Sequence, residues 1–221
     1  ASIHLDGDTE VKVRLIDCVG YMVDGAAGHM EGNNKRMVKT PWFDYEIPFV
    51  DAASIGTQKV IKEHSTIGIV VTTDGSFGEL KRESYLAAEE KTIGELKTLG
   101  KPFVVVLNSE RPYSEETGKL AERMSEQYQT PVIPVSCEQL RKEDINRILE
   151  SILYEFPIAK MEFYIPKWAE MLPCSNRMKE NVIENARAIL NSVTKAKDMK
   201  LIGKQEIVVK PIPSYIKKVK G

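Results

Sequence analysis

The alternation of short apolar runs with amphipathic stretches most constrains what this chain can fold into. The apolar runs predict strands at residues 10–18, 66–72, 102–108 and 131–136. Hydrophobic residues at helical spacing predict helices over residues 51–64, 83–99, 114–128 and 141–155, with Gly100 just past the end of the second. Strands that alternate with helices in this way pair in parallel through right-handed crossovers. The sequence therefore predicts an α/β domain with a mostly parallel sheet flanked by helices.

One segment does not fit a compact α/β domain. Residues 19–50 contain four glycines and two prolines, and they show little hydrophobic periodicity. Connections of this length are usually functional or mobile. Because this one begins at the motif Asp17-x-x-Gly20, we favour a functional role.

The pattern changes after Pro157, which predicts one domain over residues 1–157 and the start of a second over residues 158–221. The second part predicts a strand at 161–165, a short helix at 166–172, a long helix at 175–197 that Ser175 could cap, and a strand at 205–212. The charge of the chain also changes near this point. Residues 1–159 carry 18 basic and 26 acidic side chains, whereas residues 160–221 carry 13 basic and 6 acidic side chains. The basic part could touch an anionic surface or an acidic partner, or its lysines could simply solvate an exposed helix and tail.

Composition limits the class of protein. Hydrophobic residues make up 42% of the 221 and charged residues 29%, which is ordinary for a soluble protein. No apolar run approaches the ~18–20 residues of a membrane span, and the beginning of the chain shows no signal peptide. Three widely spaced cysteines match no zinc pattern, and an odd number of thiols favours a reducing cytoplasm.

The motif Asp17-x-x-Gly20 carries the first functional signal. In P-loop nucleotidases an aspartate at the carboxyl end of a buried strand holds Mg²⁺ beside the triphosphate. A glycine three residues later lets its backbone N–H approach the γ-phosphate. Yet no G-x-x-x-x-G-K-[ST] phosphate loop occurs anywhere in these 221 residues.

Polar residues follow the third and fourth predicted strands in the order that guanine-binding nucleotidases use. Asn108, Ser109 and Arg111 stand where such proteins carry Asn-Lys-x-Asp, and Ser136 and Cys137 stand where they carry Ser-Ala-Lys. These residues are therefore candidates for nucleotide binding, the alternative being that Asn108 and Ser136 only cap helices or turns.

Arg111 changes the predicted ligand. The aspartate usual at that position accepts two N–H donors of guanine, whereas a guanidinium only donates. Losing this bidentate, charge-assisted contact costs roughly 2–4 kcal/mol, enough to erase selectivity for guanine. Ser109 also lacks the lysine stem that packs over the base. The sequence therefore favours ATP over GTP.

Two further positions have weaker signals. Tyr21 occupies the place where Ras-like switches carry a water-orienting glutamine, so we expect either slow hydrolysis or water held by another group. Residues 72–75 follow the second predicted sheet strand and could face the nucleotide or a neighbouring subunit, although a turn stabilised by Asp74 and Gly75 is the simpler interpretation.

Several blocks of irregular sequence together resemble the stage IV sporulation protein A family, the spore-coat morphogenetic ATPases of endospore-forming Firmicutes. The blocks that carry the resemblance are residues 15–21, 40–43, 46–49, 63–68, 72–75, 100–103, 108–113 and 154–157. The resemblance covers nearly the whole chain and is looser beyond residue 160.

The resemblance implies a P-loop fold related to the translation-factor GTPases that has switched to ATP. It makes Asp17 the Mg²⁺-coordinating Walker B residue and places the Walker A lysine and serine upstream of residue 1. It also implies a homopolymer that uses ATP hydrolysis to assemble the coat basement layer on the outer forespore membrane, in the mother-cell cytoplasm. Expected partners are a small amphipathic membrane-anchoring peptide and coat or cortex morphogenetic proteins, with indirect membrane association and no nucleic acid.

We therefore expect a fragment that lacks its phosphate loop and its C-terminal domain, and that is inactive alone. The leading alternative is a non-catalytic assembly module whose nucleotide site has decayed. An ordinary GTPase is a third possibility, against which Arg111 argues.

Overall fold

The structure, a computed structural model, describes the backbone of residues 2–5 and 9–201 and the side chains of residues 12–199. It divides the chain into two compact units, Ala1–Ile152 and Leu153–Gly221. The predicted domain boundary after residue 157 stays a prediction.

Short antiparallel hairpins occupy the beginning of the first unit. They pair β1 (Ser2–Leu5) with β2 (Thr9–Lys12), β3 (Met30–Glu31) with β4 (Asn34–Lys35), and β5 (Met37–Thr40) with β6 (Phe43–Pro48). The aperiodic segment 19–50 thus contains two hairpins, whose strands are too short to give a periodic signal.

The prediction of a buried strand over residues 10–18 is wrong. Strand β2 ends at Lys12 and pairs only with β1, and the residues after it have no regular structure. Leu15 is 73% exposed and Val19 is 70% exposed. An apolar run becomes a buried strand only where a neighbour satisfies its backbone N–H and C=O groups, and no described strand pairs with residues 13–18.

The predicted alternation of helix and strand is confirmed from residue 49 onwards. The elements are α1 (Phe49–Lys59) with a π-helical turn (Val60–His64), β7 (Gly68–Thr73), α2 (Arg82–Thr98), β8 (Phe103–Asn108), α3 (Glu115–Tyr128), β9 (Val132–Val135) and α4 (Lys142–Tyr154). Helix α2 ends just before Gly100, as expected, and the Ser114 side chain caps α3 by accepting from the Thr117 N–H.

Strands β7, β8 and β9 form a parallel three-stranded sheet with β8 in the centre. Residues 104–107 of β8 are almost completely buried, as expected for a parallel strand covered on both faces. The main hydrophobic core joins this sheet to α2 and α3 through Leu96, Leu107 and Met124, among others. All three strands therefore present their carboxyl ends at one edge of a rigid sheet.

The second unit contains α5 (Lys167–Glu170), α6 (Arg177–Ser192) and a 3-10 turn (Ala196–Leu201). The predicted strand at 161–165 is absent from the described residues, because no neighbouring strand pairs with it. The long helix is shorter than predicted and is capped by Asn176 rather than Ser175, since the Asn176 side chain accepts the Met178 N–H at 2.9 Å. The predicted strand at 205–212 lies outside the described residues.

Glu155 accepts from two lysines of this unit. Its carboxylate is 2% exposed and accepts from Lys195 Nζ at 2.6 Å and Lys197 Nζ at 2.8 Å. The backbone N–H of Ile158 donates to the Thr194 carbonyl nearby. The segment after α4 is thus fastened to the segment after α6.

Candidate nucleotide site

The carboxyl edge of the parallel sheet brings together the polar residues that end the strands. Asn108 is the last residue of β8, and its Oδ1 accepts the backbone N–H of Cys137, after β9, at 2.9 Å. On the other side, the Asp74 N–H donates to the Asn108 carbonyl at 3.2 Å. Asn108 therefore fastens the loops that follow all three strands.

Ser109 lies inside this edge rather than on its surface. Its side chain is almost fully buried, and its Oγ accepts the Arg111 N–H at 3.1 Å and lies 3.3 Å from Thr117 Oγ1. The Ser109 N–H donates to the Val135 carbonyl at 2.9 Å. The hydroxyl thus shapes the turn between β8 and α3, and its predicted contact with a nucleotide stays a prediction.

Arg111 and Ser136 face an open pocket of about 320 Å³ at the same edge. The pocket is also lined by Tyr113, Gln139 and Arg141. The carboxylates of Glu110 and Asp144 line it as well, so the pocket carries both signs of charge. Its departure from a guanine site is therefore confined to Arg111, whose guanidinium only donates at the position where guanine-binding nucleotidases carry an accepting aspartate.

Cys137 is exposed, yet desolvation of its thiol raises its pKa. The sulfur therefore stays protonated near neutral pH, which makes it a poor nucleophile. The backbone N–H bound by Asn108 is the part of this residue with a defined role.

The loop after β7 is closed by its own hydrogen bonds. Asp74 accepts from the Ser76 N–H at 2.9 Å and from Ser76 Oγ at 2.5 Å, and Ser76 Oγ in turn accepts the Glu110 N–H. Burial alone would raise the pKa of Asp74, but hydrogen bonds from Ser109 and Ser76 outweigh it and hold that pKa below its usual range. This geometry is that of a turn, the simpler of the two interpretations of residues 72–75.

A buried ion pair contacts strand β7 near the same edge of the sheet. Arg82, at the start of α2, donates from both terminal nitrogens to the Glu89 carboxylate at 2.5 and 2.7 Å, and to Thr72 Oγ1 at 2.9 Å. The Tyr128 hydroxyl donates to the same carboxylate at 2.7 Å. Burial would raise the pKa of Glu89, but the hydrogen bonds from Arg82, Thr72 and Tyr128 hold it below its usual range.

Sequence reasoning missed this network. The one sequence signal that could have revealed it is the spacing of Glu89, which lies four residues before Ile93 and seven before Leu96. That spacing places an acidic residue on the buried face of α2.

Asp17 lies in the irregular segment that follows β2, with its side chain exposed. Gly20 has φ of 82°, in the left-handed region that favours glycine. Next comes Tyr21, which is only 9% exposed and has Lys91 Nζ 3.9 Å from its ring centroid. The predicted site residues thus form two groups. Asn108, Ser109, Arg111, Ser136 and Cys137 are connected, whereas no contact among the described residues joins them to Asp17, Gly20 or Tyr21.

The side chains near Asp17 could supply Mg²⁺ with few protein ligands. The described residues hold no group of three or more His, Cys, Asp or Glu side chains that could form a protein cage for a metal. Mg²⁺ commonly takes only one or two carboxylates and fills its shell with phosphate oxygens and water. An exposed carboxylate at Asp17 fits that arrangement.

An α/β unit whose parallel strands present polar residues at their carboxyl edge belongs to the class of domains that bind ligands at that edge, nucleotides among them. A family model described as "Stage IV sporulation protein A, ATPase domain" matches residues 1–157. The chain belongs to the stage IV sporulation protein A family.

Individual relatives support this assignment. The chain is 43% identical over 198 residues to stage IV sporulation protein A of Bacillus subtilis (strain 168), and 45% identical over 197 residues to that of Clostridioides difficile (strain 630). These matches cover 90% and 89% of the chain but only 40% of each relative, so the chain spans well under half of their length. No solved structure matches the chain. Within the described residues, no helix has the length and apolar character that crossing a membrane requires.

Proposed function

We propose that this chain is part of an ATPase that binds Mg²⁺-ATP at the carboxyl edge of the β7–β9 sheet and hydrolyses it. One observation carries the proposal: Asn108, Arg111 and Ser136 lie together at that edge, beside an open pocket, in a unit that belongs to an ATPase family. The ends of the corresponding two strands carry the base-binding motifs in guanine-binding nucleotidases.

Arg111 supports ATP as the nucleotide. Its guanidinium lines the pocket where a guanine-selective site places a carboxylate, and it cannot accept the two N–H groups of guanine. The adenine amino group needs only one hydrogen-bond acceptor, which a backbone carbonyl at a strand end can provide. Residue 111 therefore offers no acceptor to the additional donors of GTP.

The residues around Gly20 would act at the phosphates. The Asp17 carboxylate would hold Mg²⁺, directly or through water, and Gly20 would offer its N–H to the γ-phosphate. When bound, the metal neutralises charge that develops on the phosphate oxygens during transfer. The phosphate loop is absent from these 221 residues, so we propose that sequence outside them supplies it.

The relatives extend the proposal to sporulation. Three curated relatives, from two Bacillus species and Clostridioides difficile, are named stage IV sporulation protein A. We propose that hydrolysis drives self-assembly of a coat basement layer on the forespore surface, in the mother-cell cytoplasm. The partners that fit this role are further copies of the protein, a small amphipathic membrane-anchoring peptide and coat or cortex morphogenetic proteins.

Hydrolysis and sedimentation of the complete protein, unaltered and as Asp17→Ala, test the proposal together. We expect Asp17→Ala to lose most Mg²⁺-dependent ATP hydrolysis and most ATP-dependent pelleting. Glu90→Gln, which alters an exposed carboxylate on α2, is the matched control and should change neither. If Asp17→Ala keeps both activities, Asp17 has a structural role only.

A non-catalytic assembly module is the second candidate, favoured by the lack of contact between Asp17 and the strand-end group among the described residues. The sequence upstream separates the two candidates. An intact G-x-x-x-x-G-K-[ST] favours the ATPase, and a degenerate loop favours the module.

A further inference from the structure

Two buried oxygen atoms next to the Asp17–Gly20 segment lack a hydrogen-bond partner of good geometry. One is the hydroxyl of Tyr21 and the other is Oε2 of Glu95, on α2. The two groups lie close enough to interact, since the Glu95 carboxylate contributes to a raised pKa of Tyr21. When a buried hydroxyl donates to a neighbouring buried carboxylate oxygen, the hydrogen-bonding capacity of both groups is satisfied.

Further contacts hold the same tyrosine against two helices. Gln58 Nε2, on α1, donates to Glu95 Oε1 at 3.1 Å, which fixes the carboxylate from the other side. Lys91 lies one turn before Glu95 on α2, with its Nζ 3.9 Å from the Tyr21 ring centroid. Burial foremost, and then Glu95, raise the pKa of Tyr21, so the phenol stays a neutral donor at physiological pH.

This contact acts on the motif through the backbone. The Cα atoms of Gly20 and Tyr21 are about 3.8 Å apart, as in any trans peptide. Asp17 is four residues from Tyr21, so an extended chain carries it at most about 14 Å away. The segment from 13 to 19 has no strand pairing, and its Cys18 and Val19 line an open pocket with residues of α1. The buried Tyr21 is a further side chain that holds this part of the chain to the helices. The position of the Gly20 N–H should therefore depend most strongly on the contact that Tyr21 makes with the helices.

We propose that Glu95 is a positioning residue, which holds Tyr21 between α1 and α2 and thereby sets the position of the Gly20 N–H at the γ-phosphate. The inference rests on the proposed ATPase function. It gives Tyr21 a role as an anchor, at the position where Ras-like switches carry a water-orienting glutamine.

Kinetics of the complete protein separate positioning from nucleotide binding. We expect Glu95→Ala to lower kcat for Mg²⁺-ATP hydrolysis at least tenfold while KM stays within threefold, because the strand-end pocket is untouched. Glu95→Gln should keep kcat within threefold, since its amide oxygen can accept from the tyrosine hydroxyl as a carboxylate oxygen would. Tyr21→Phe combined with Glu95→Ala should be no slower than the slower single variant.

Hydrogen exchange of the same proteins tests the anchor without using activity. Amides of residues 17–22 should exchange at least tenfold faster in Glu95→Ala than in the unaltered protein, while those of residues 104–107 in β8 stay protected. The exposed-site variant Glu90→Gln should match the unaltered protein in both measurements.

Three results would overturn the inference: unchanged exchange at residues 17–22 in Glu95→Ala, a rise in KM at constant kcat, or Glu95→Gln as slow as Glu95→Ala. Failure of the proposed function has a different signature, because the unaltered complete protein would then show no Mg²⁺-ATP hydrolysis.

Discussion

Replacing Arg82 by alanine should destabilise the first unit severely, because it leaves the Glu89 carboxylate buried without its cation. The Glu89 side chain is 1% exposed and that of Arg82 is 15% exposed. The variant removes two charge-assisted hydrogen bonds and leaves Tyr128 as the main remaining donor. Breaking one partner of a buried ion pair costs about 3–5 kcal/mol, and the partial exposure of Arg82 places the expected loss near 3 kcal/mol.

The loss should depend on pH with a definite sign. The pKa of Glu89 is depressed in the folded protein, so the pair stabilises the fold fully above the unfolded pKa of about 4.3 and loses this effect as pH falls through the folded pKa. In Arg82→Ala the carboxyl protonates instead of staying charged and unpaired. The difference in stability between the two proteins should therefore be largest near pH 7 and shrink below pH 4.

Hydrogen exchange of residues 104–107 is the suitable assay. Those amides lie in the buried central strand, so their exchange reports the opening of the first unit alone. Global unfolding of the chain would combine the transitions of its two units in one signal. Arg123→Ala, at an exposed site on α3, should stay within about 0.5 kcal/mol of the unaltered protein. A loss below about 1 kcal/mol at pH 7, or a loss that stays the same size when the pH falls well below 4, would refute the reasoning.

Three further predictions test other parts of the structure. Gly75→Ala should cost at least 2 kcal/mol in the same exchange assay, because φ is 88° and the new Cβ would lie 2.7 Å from a backbone nitrogen of α2. Gly78→Ala, with φ of 75° and open space around it, should cost only about 1 kcal/mol, and equal losses would contradict the role of the close contact. Asn108→Ala should free the backbone of Cys137 and speed alkylation of its thiol severalfold, so an unchanged rate would count against this link. Glu155→Gln should lower the stability of the second unit by about 1 kcal/mol, a small loss because both lysines stay partly solvated, and unaltered exchange there would disprove it.

The sequence predicted the part of the fold that local pattern determines. Helices α2 and α3 and strands β7 to β9 lie within two residues of their predicted bounds. Each matches a local pattern of apolar residues or of helix boundary residues, and each strand has a partner in the structure. The run at residues 10–18 has a comparable pattern, but burial of a strand depends on a neighbour that can be distant in sequence. That information is not local, and the prediction was wrong.

The same distinction applies to the candidate site. Strand order was enough to place Asn108 beside Ser136 and Cys137, because parallel strands end at a common edge. It could not show that the Ser109 hydroxyl is buried in the turn, nor that Arg82 and Glu89 pair beneath β7. Those contacts depend on side-chain direction and on helix packing, which spacing along the chain constrains only weakly.

Competition between nucleotides tests the central claim most directly. The complete protein is supplied with Mg²⁺, labelled ATP and an equal concentration of unlabelled GTP, and release of labelled phosphate is followed. Because Arg111 stands where a guanine-selective site has its accepting aspartate, we predict that ATP hydrolysis falls by no more than half. If GTP suppresses it tenfold or more, the site is selective for guanine, and the carboxyl edge of the sheet is not the ATP site that we propose.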